Sequence, residues 1–87
     1  MLFLIASAPD TTEFRTAYDL AKTMNAQVCL LQNAVYAVRE LKEKDILVLG
    51  DELQLRGVSE AEVSGEIIDY SRLVDLMTET DKVVGIF

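Results

Sequence analysis

Cys29 is the only side chain in this sequence equipped for covalent sulfur chemistry. A thiol acts as nucleophile or persulfide carrier only as the thiolate, which requires exposure and a neighbouring positive charge or helix N-terminus. Cys29 lies instead within the apolar run Val28-Cys29-Leu30-Leu31, so a buried and inert thiol is expected, free cysteine being among the most often buried residue types. One cysteine also excludes an internal disulfide and a thiolate metal cluster. The sequence has no histidine, which removes the usual near-neutral acid/base group, most zinc sites, and Ser-His-Asp or Cys-His catalysis within one chain. Asp10, Asp51 and Glu52 each follow an apolar run and could converge on a hard cation. Acids at such places more commonly cap a helix or face its dipole, so no metal and no cofactor is expected. Arg56 could bind an anion, but its expected role is an ion pair at the surface or an interface.

The elements that would position these residues follow from hydrophobic patterning. Apolar runs at Leu2 to Ala6, Val28 to Leu31, Ile46 to Leu49, Glu66 to Tyr70 and Val83 to Phe87 predict five strands. The first is unbroken rather than alternating, as suits a strand buried on both faces. Between them, Phe14, Ala17, Tyr18 and Ala21 form one helical stripe with Thr11 or Thr12 as its cap and Asn25 at its stop. Gln32-Asn33 opens a predicted helix to about Lys44, with Ala34, Val35, Ala37, Val38 and Leu41 inward. A short helix over Glu52 to Arg56 stops at Gly57; Val58 to Gly65, acidic and without pattern, predicts a flexible loop; Ser71 caps a helix through about Glu79. Alternating strand and helix predict a small single-domain α/β fold over residues 1–87. The expected architecture is a doubly wound, mostly parallel five-stranded sheet with helices on both faces.

Charge and size narrow the function. Eight Lys and Arg against fifteen Asp and Glu leave a net −7 without a basic run, so no direct nucleic-acid binding is expected. The opening from Met1 to Ala8 lacks a basic flank and stops at Pro9-Asp10, so neither a membrane span nor a signal peptide is expected, and the cytoplasm is the natural compartment. At 87 residues the chain buries only roughly 60 to 65% of its unfolded surface, and an apolar final strand has nothing after it as a shield; both favour association. In an open α/β sheet, ligands and partners meet the carboxyl ends of the strands, which draws attention to Ser7, Asp10, Gln32, Asn33, Gly50, Asp51 and Ser71. The turn from Ser7 to Asp10 has no glycine, so the dinucleotide fingerprint and the P-loop are excluded. Of the acids and lysine a phosphoacceptor receiver domain needs, only Asp51 is in place.

Three runs go beyond fold class: LLQNAVYA (Leu30 to Ala37), LVLGDELQLRG (Leu47 to Gly57) and IIDYSRLVDL (Ile67 to Leu76). In this order and spacing the chain resembles the DsrH/TusB family of small sulfur-relay proteins, from Leu2 to the C-terminus. The resemblance implies a doubly wound α/β fold within the DsrE/DsrF/DsrH-like superfamily. It implies assembly with DsrE/TusD-like and DsrF/TusC-like subunits, and delivery of persulfide sulfur to a DsrC/TusE-like carrier for tRNA wobble-uridine 2-thiolation or dissimilatory sulfur metabolism. Some relatives carry a cysteine in the first helix, but Thr12 to Met24 has none, and Ala34 stands where the family commonly has glycine. Gln32, Asn33, Asp51 and Arg56 match motif positions and are expected to organise strand-end loops or contacts with sister subunits. The favoured reading is a non-catalytic subunit. Two alternatives stand beside it: a sulfurtransferase accepting persulfide on Cys29, and a homo-oligomeric module for a small anion or metal.

Overall fold

The computed structural model describes every residue, Met1–Phe87. Its five strands are β1 (Leu2–Ile5), β2 (Gln27–Leu30), β3 (Ile46–Leu49), β4 (Glu66–Ile68) and β5 (Val83–Ile86). They form one sheet in the order β4-β3-β2-β1-β5, and every neighbouring pair is parallel. All four residues of β1 and of β3 are buried, which accounts for their unbroken apolar sequence. The chain steps from β1 to β4 in one direction and then returns to place β5 beside β1. Right-handed crossovers therefore put the last helix on the face opposite the others.

The first helix, α1 (Thr12–Thr23), is capped by Thr11, whose hydroxyl accepts from the Phe14 amide at 3.1 Å. It buries Phe14, Ala17 and Ala21. Asn25 ends it at φ 56°, a left-handed conformation Asn tolerates, and the Ala26 amide reaches back to the Ala21 carbonyl at 2.9 Å. α2 spans Gly50–Leu55 and α3 spans Tyr70–Glu79. Phe3, Ile5, Val28, Leu30, Ile46 and Val48 point to the α1 and α2 side; Leu2, Leu4, Cys29, Leu47, Leu49 and Ile68 point to the other, under Leu73 and Leu76 of α3. Period-two alternation thus divides the strands between two cores.

The structure departs from the sequence-based expectations in four places. In place of a helix to Lys44 there is a 3₁₀ segment, Gln32–Arg39. The buried pairs Ala34/Ala37 and Val35/Val38 recur every three residues, the 3₁₀ repeat, and past Leu41 no apolar residue remains to dock a further turn. α2 begins at Gly50, two residues earlier than expected, and stops at Leu55, just ahead of Gly57, whose φ of +68° favours glycine. Val58 to Gly65 folds into a short 3₁₀ turn, Glu60–Glu62, held by a reciprocal capping box between Ser59 and Glu62. Gly65 then passes so close to β3 that a Cβ would lie 2.0 Å from the Ile46 carbonyl oxygen. Finally, β4 is shorter than expected and Asp69, not Ser71, caps α3, its carboxylate accepting from the Arg72 amide at 2.8 Å.

Candidate functional site

The three motif runs meet at the carboxyl ends of β2, β3 and β4. Asn33 follows β2, Glu52 and Arg56 belong to α2 after β3, and Tyr70 opens α3 after β4. Glu52 is 8% exposed, the one charged residue among the buried set. Its carboxylate pairs with the Arg56 guanidinium one turn later on the same helix and accepts from the Tyr70 hydroxyl at 3.3 Å. Arg56 Nε donates to Asn33 Oδ1 at 3.1 Å. One guanidinium and one carboxylate thus tie together the ends of three neighbouring strands. No buried side-chain polar atom is left without a hydrogen-bond partner.

Of the residues singled out from sequence, Asn33 and Arg56 come together in this network. Gln32 stands beside it at φ 47°, exposed, and Asp51 is exposed in the first turn of α2 with no ion-pair partner. From sequence, Glu52 is expected to face the dipole of its helix or, less commonly, to bind a cation, and Tyr70 stands only within a motif run. The i,i+4 spacing of Glu52 and Arg56 announced their pair; nothing in the sequence announced that the Tyr70 hydroxyl would reach Glu52. Asp10 takes no part in the network, and no group of three His, Cys, Asp or Glu side chains is placed to hold a metal ion. With Arg56 occupied by Glu52 and Asn33, the cluster fixes loops and offers no free cation to an anion.

Cys29 lies apart from this cluster. It sits in β2 between Leu4 of β1 and Leu47 of β3, is 0% exposed, and packs among Leu2, Leu4, Leu47, Leu49, Ile68, Leu73 and Leu76. Burial alone pushes its thiol up to about 12. With that value the thiolate is roughly one part in 10⁵ at neutral pH. Two shallow hollows exist, of about 200 Å³ between α1 and the 3₁₀ segment and about 310 Å³ between α1 and Ile86, and neither reaches Cys29 or Glu52.

A second polar cluster lies toward the amino ends of the strands. The Tyr18 hydroxyl and Lys22 Nζ of α1 both donate to the Glu43 carboxylate, and Lys22 also approaches Asp45 at 3.9 Å. Burial, then Glu43, hold the Tyr18 phenol above its ordinary value; Lys22 and Tyr18 hold the Glu43 carboxyl below its own. This clamp fastens the loop before β3 to α1.

No helix is long and apolar enough to cross a membrane. A comparison with curated proteins gives no match. A protein-family model described as "DsrH like protein" matches residues 6–83, a span that holds all three motif runs and every residue of the strand-end network. The chain therefore belongs to the DsrH-like family, which ties it to sulfur relay.

Proposed function

We propose that this protein is a non-catalytic subunit of a cytoplasmic sulfur-relay assembly. It joins DsrE/TusD-like and DsrF/TusC-like subunits, and a cysteine on a sister subunit carries the persulfide to a DsrC/TusE-like carrier that supplies tRNA wobble-uridine 2-thiolation or dissimilatory sulfur metabolism. The burial of Cys29 is the observation that carries this reading. A persulfide must be loaded and unloaded by in-line attack on sulfur, and here the sulfur is enclosed by aliphatic side chains on a central strand with its thiolate suppressed. In this reading Asn33 and Arg56, with Glu52 and Tyr70, set the shape of the strand-end surface, and Gln32 and Asp51 project from it toward a sister subunit.

Mass spectrometry of the purified assembly after incubation with a cysteine desulfurase and cysteine tests it. A sulfur-sized adduct is expected on a sister subunit and none on this chain, and Cys29→Ala should leave sulfur transfer to the carrier unchanged. A Cys29 adduct that disappears in Cys29→Ala would replace this reading with direct sulfur acceptance.

A further inference from the structure

In α3, Leu73 and Leu76 hold the helix to the sheet, while Tyr70, Val74 and Met77, spaced i, i+4 and i+7, form a second apolar line that is 50%, 56% and 40% exposed. With 3.6 residues per turn, the second line lies about 100° around the helix from the first. The apolar arc of α3 is thus far wider than its contact with the sheet. Tyr70 is held in place, because its hydroxyl donates to buried Glu52 and fixes the ring where the line meets the strand-end network. An aromatic side chain already fixed loses little freedom on docking, and Tyr and Met are enriched at interface centres.

The surroundings of this line are acidic. From Glu66 to Lys82 the chain has Glu66, Asp69, Asp75, Glu79 and Asp81 against Arg72 and Lys82, and Arg72 is already paired with Glu79. Asp51, Glu66 and Asp75 are exposed and have no basic partner within the chain. A second copy would bring its own net −7 against this rim, whereas a basic rim would be attracted to it.

We infer that the Tyr70–Val74–Met77 line of α3 is the docking surface for a protein partner presenting an apolar patch rimmed by Lys and Arg. This rests on the subunit reading above and locates the face through which assembly takes place. Docking there covers the helix that roofs Cys29.

The intact chain, combined with DsrE-like and DsrF-like subunits, provides the test. Val74→Asp with Met77→Asp should weaken assembly at least about tenfold, as loss of a central apolar contact does, with circular dichroism unchanged because both side chains are exposed. The matched pair Leu20→Asp and Met24→Asp at the end of α1, 48% and 46% exposed, should leave affinity within about twofold, as at positions outside an interface. Wild-type affinity should fall with added salt. Hydrogen exchange of the Tyr70–Glu79 amides should slow on assembly. Wild-type assembly by the α3 variant, with no slowing in α3, overturns the docking surface and leaves the subunit reading standing. Failure of the unmodified chain to bind either subunit removes both. A homodimer abolished by the α3 substitutions overturns the choice of a basic partner.

Discussion

On one face of the sheet, α1, the 3₁₀ segment and α2 enclose a cluster of fifteen buried residues; on the other, α3 alone closes a cluster of eight that includes Cys29 and its own Leu73 and Leu76. In the thick layer α1 buries its stripe with Phe14, Ala17 and Ala21, and the 3₁₀ segment buries four of its eight residues, while Leu20, Met24 and Leu55 stay exposed. The thin layer has one helix, which docks through Leu73 and Leu76 and keeps Tyr70, Val74 and Met77 in solvent. Direction of crossover explains the asymmetry. Three successive steps from β1 to β4 stack their connections on one side, and the single return to β5 leaves one helix for the other. This topology leaves one face of the sheet under a single helix.

Truncation in each layer measures the contrast. Phe3→Ala, at a site 1% exposed in the thick layer, should cost about 3–5 kcal/mol in chemical denaturation. Leu76→Ala, 7% exposed in the thin layer, should cost about 2–3 kcal/mol because the cavity can collapse toward solvent. Equal costs would dissolve the distinction between the layers. Glu52→Ala strands Arg56 and removes the tie between α2 and α3; about 1–3 kcal/mol is expected, the guanidinium being partly solvated. A change below a few tenths would mean the strand-end network contributes no rigidity.

The pH dependence sharpens the comparison further. The Cys29 thiol, raised from 9.0 to about 12 by burial, is neutral in the folded state where the unfolded chain would ionise. Its contribution is therefore intact below about pH 9 and is lost as pH climbs toward 12. Denaturation midpoints should bend downward from pH 9 in the wild type and bend later in Cys29→Ala, where the tyrosines and lysines remain. Unchanged onset in the variant would place the thiol in contact with water. The smallest effect belongs to the clamp on the thick layer. Glu43 is held below its ordinary range by Lys22 and Tyr18, so the stability it contributes is present above that range and lost on acidification. Glu43→Gln should cost no more than about 1 kcal/mol at neutral pH and less in high salt, as thermal unfolding would show.

Much of the fold was legible because its signals are local. Unbroken apolar runs announced buried parallel strands, the pair Thr11-Thr12 announced the start of α1, with the structure choosing Thr11 as cap, and Asn25 and Gly57 announced helix stops that the structure realises with positive φ. The 3₁₀ segment was not legible, because Ala34, Val35, Ala37, Val38 and Leu41 fit a 3.6-residue stripe almost as well as a three-residue one. The choice of Asp69 over Ser71 as cap depended on where β4 lets go of β3, a matter of sheet pairing. At the strand ends, Asn33 and Arg56 were visible as motif residues, but Gln32 and Asp51 stay outside the network they were grouped with. Neighbours in sequence point different ways where a strand becomes a helix.

By itself, then, the order of residues determined the alternation of elements, the acidic character, the absence of histidine chemistry and the burial of its one thiol. All of these depend on residue type and on spacing within a single element. Tertiary structure alone decided which face of the sheet received a single helix, which apolar side chains of that helix stayed in water, and which residues joined across three strand ends. Those depend on strand order and crossover direction, which bring together residues far apart in the chain, and no local pattern encodes that distance.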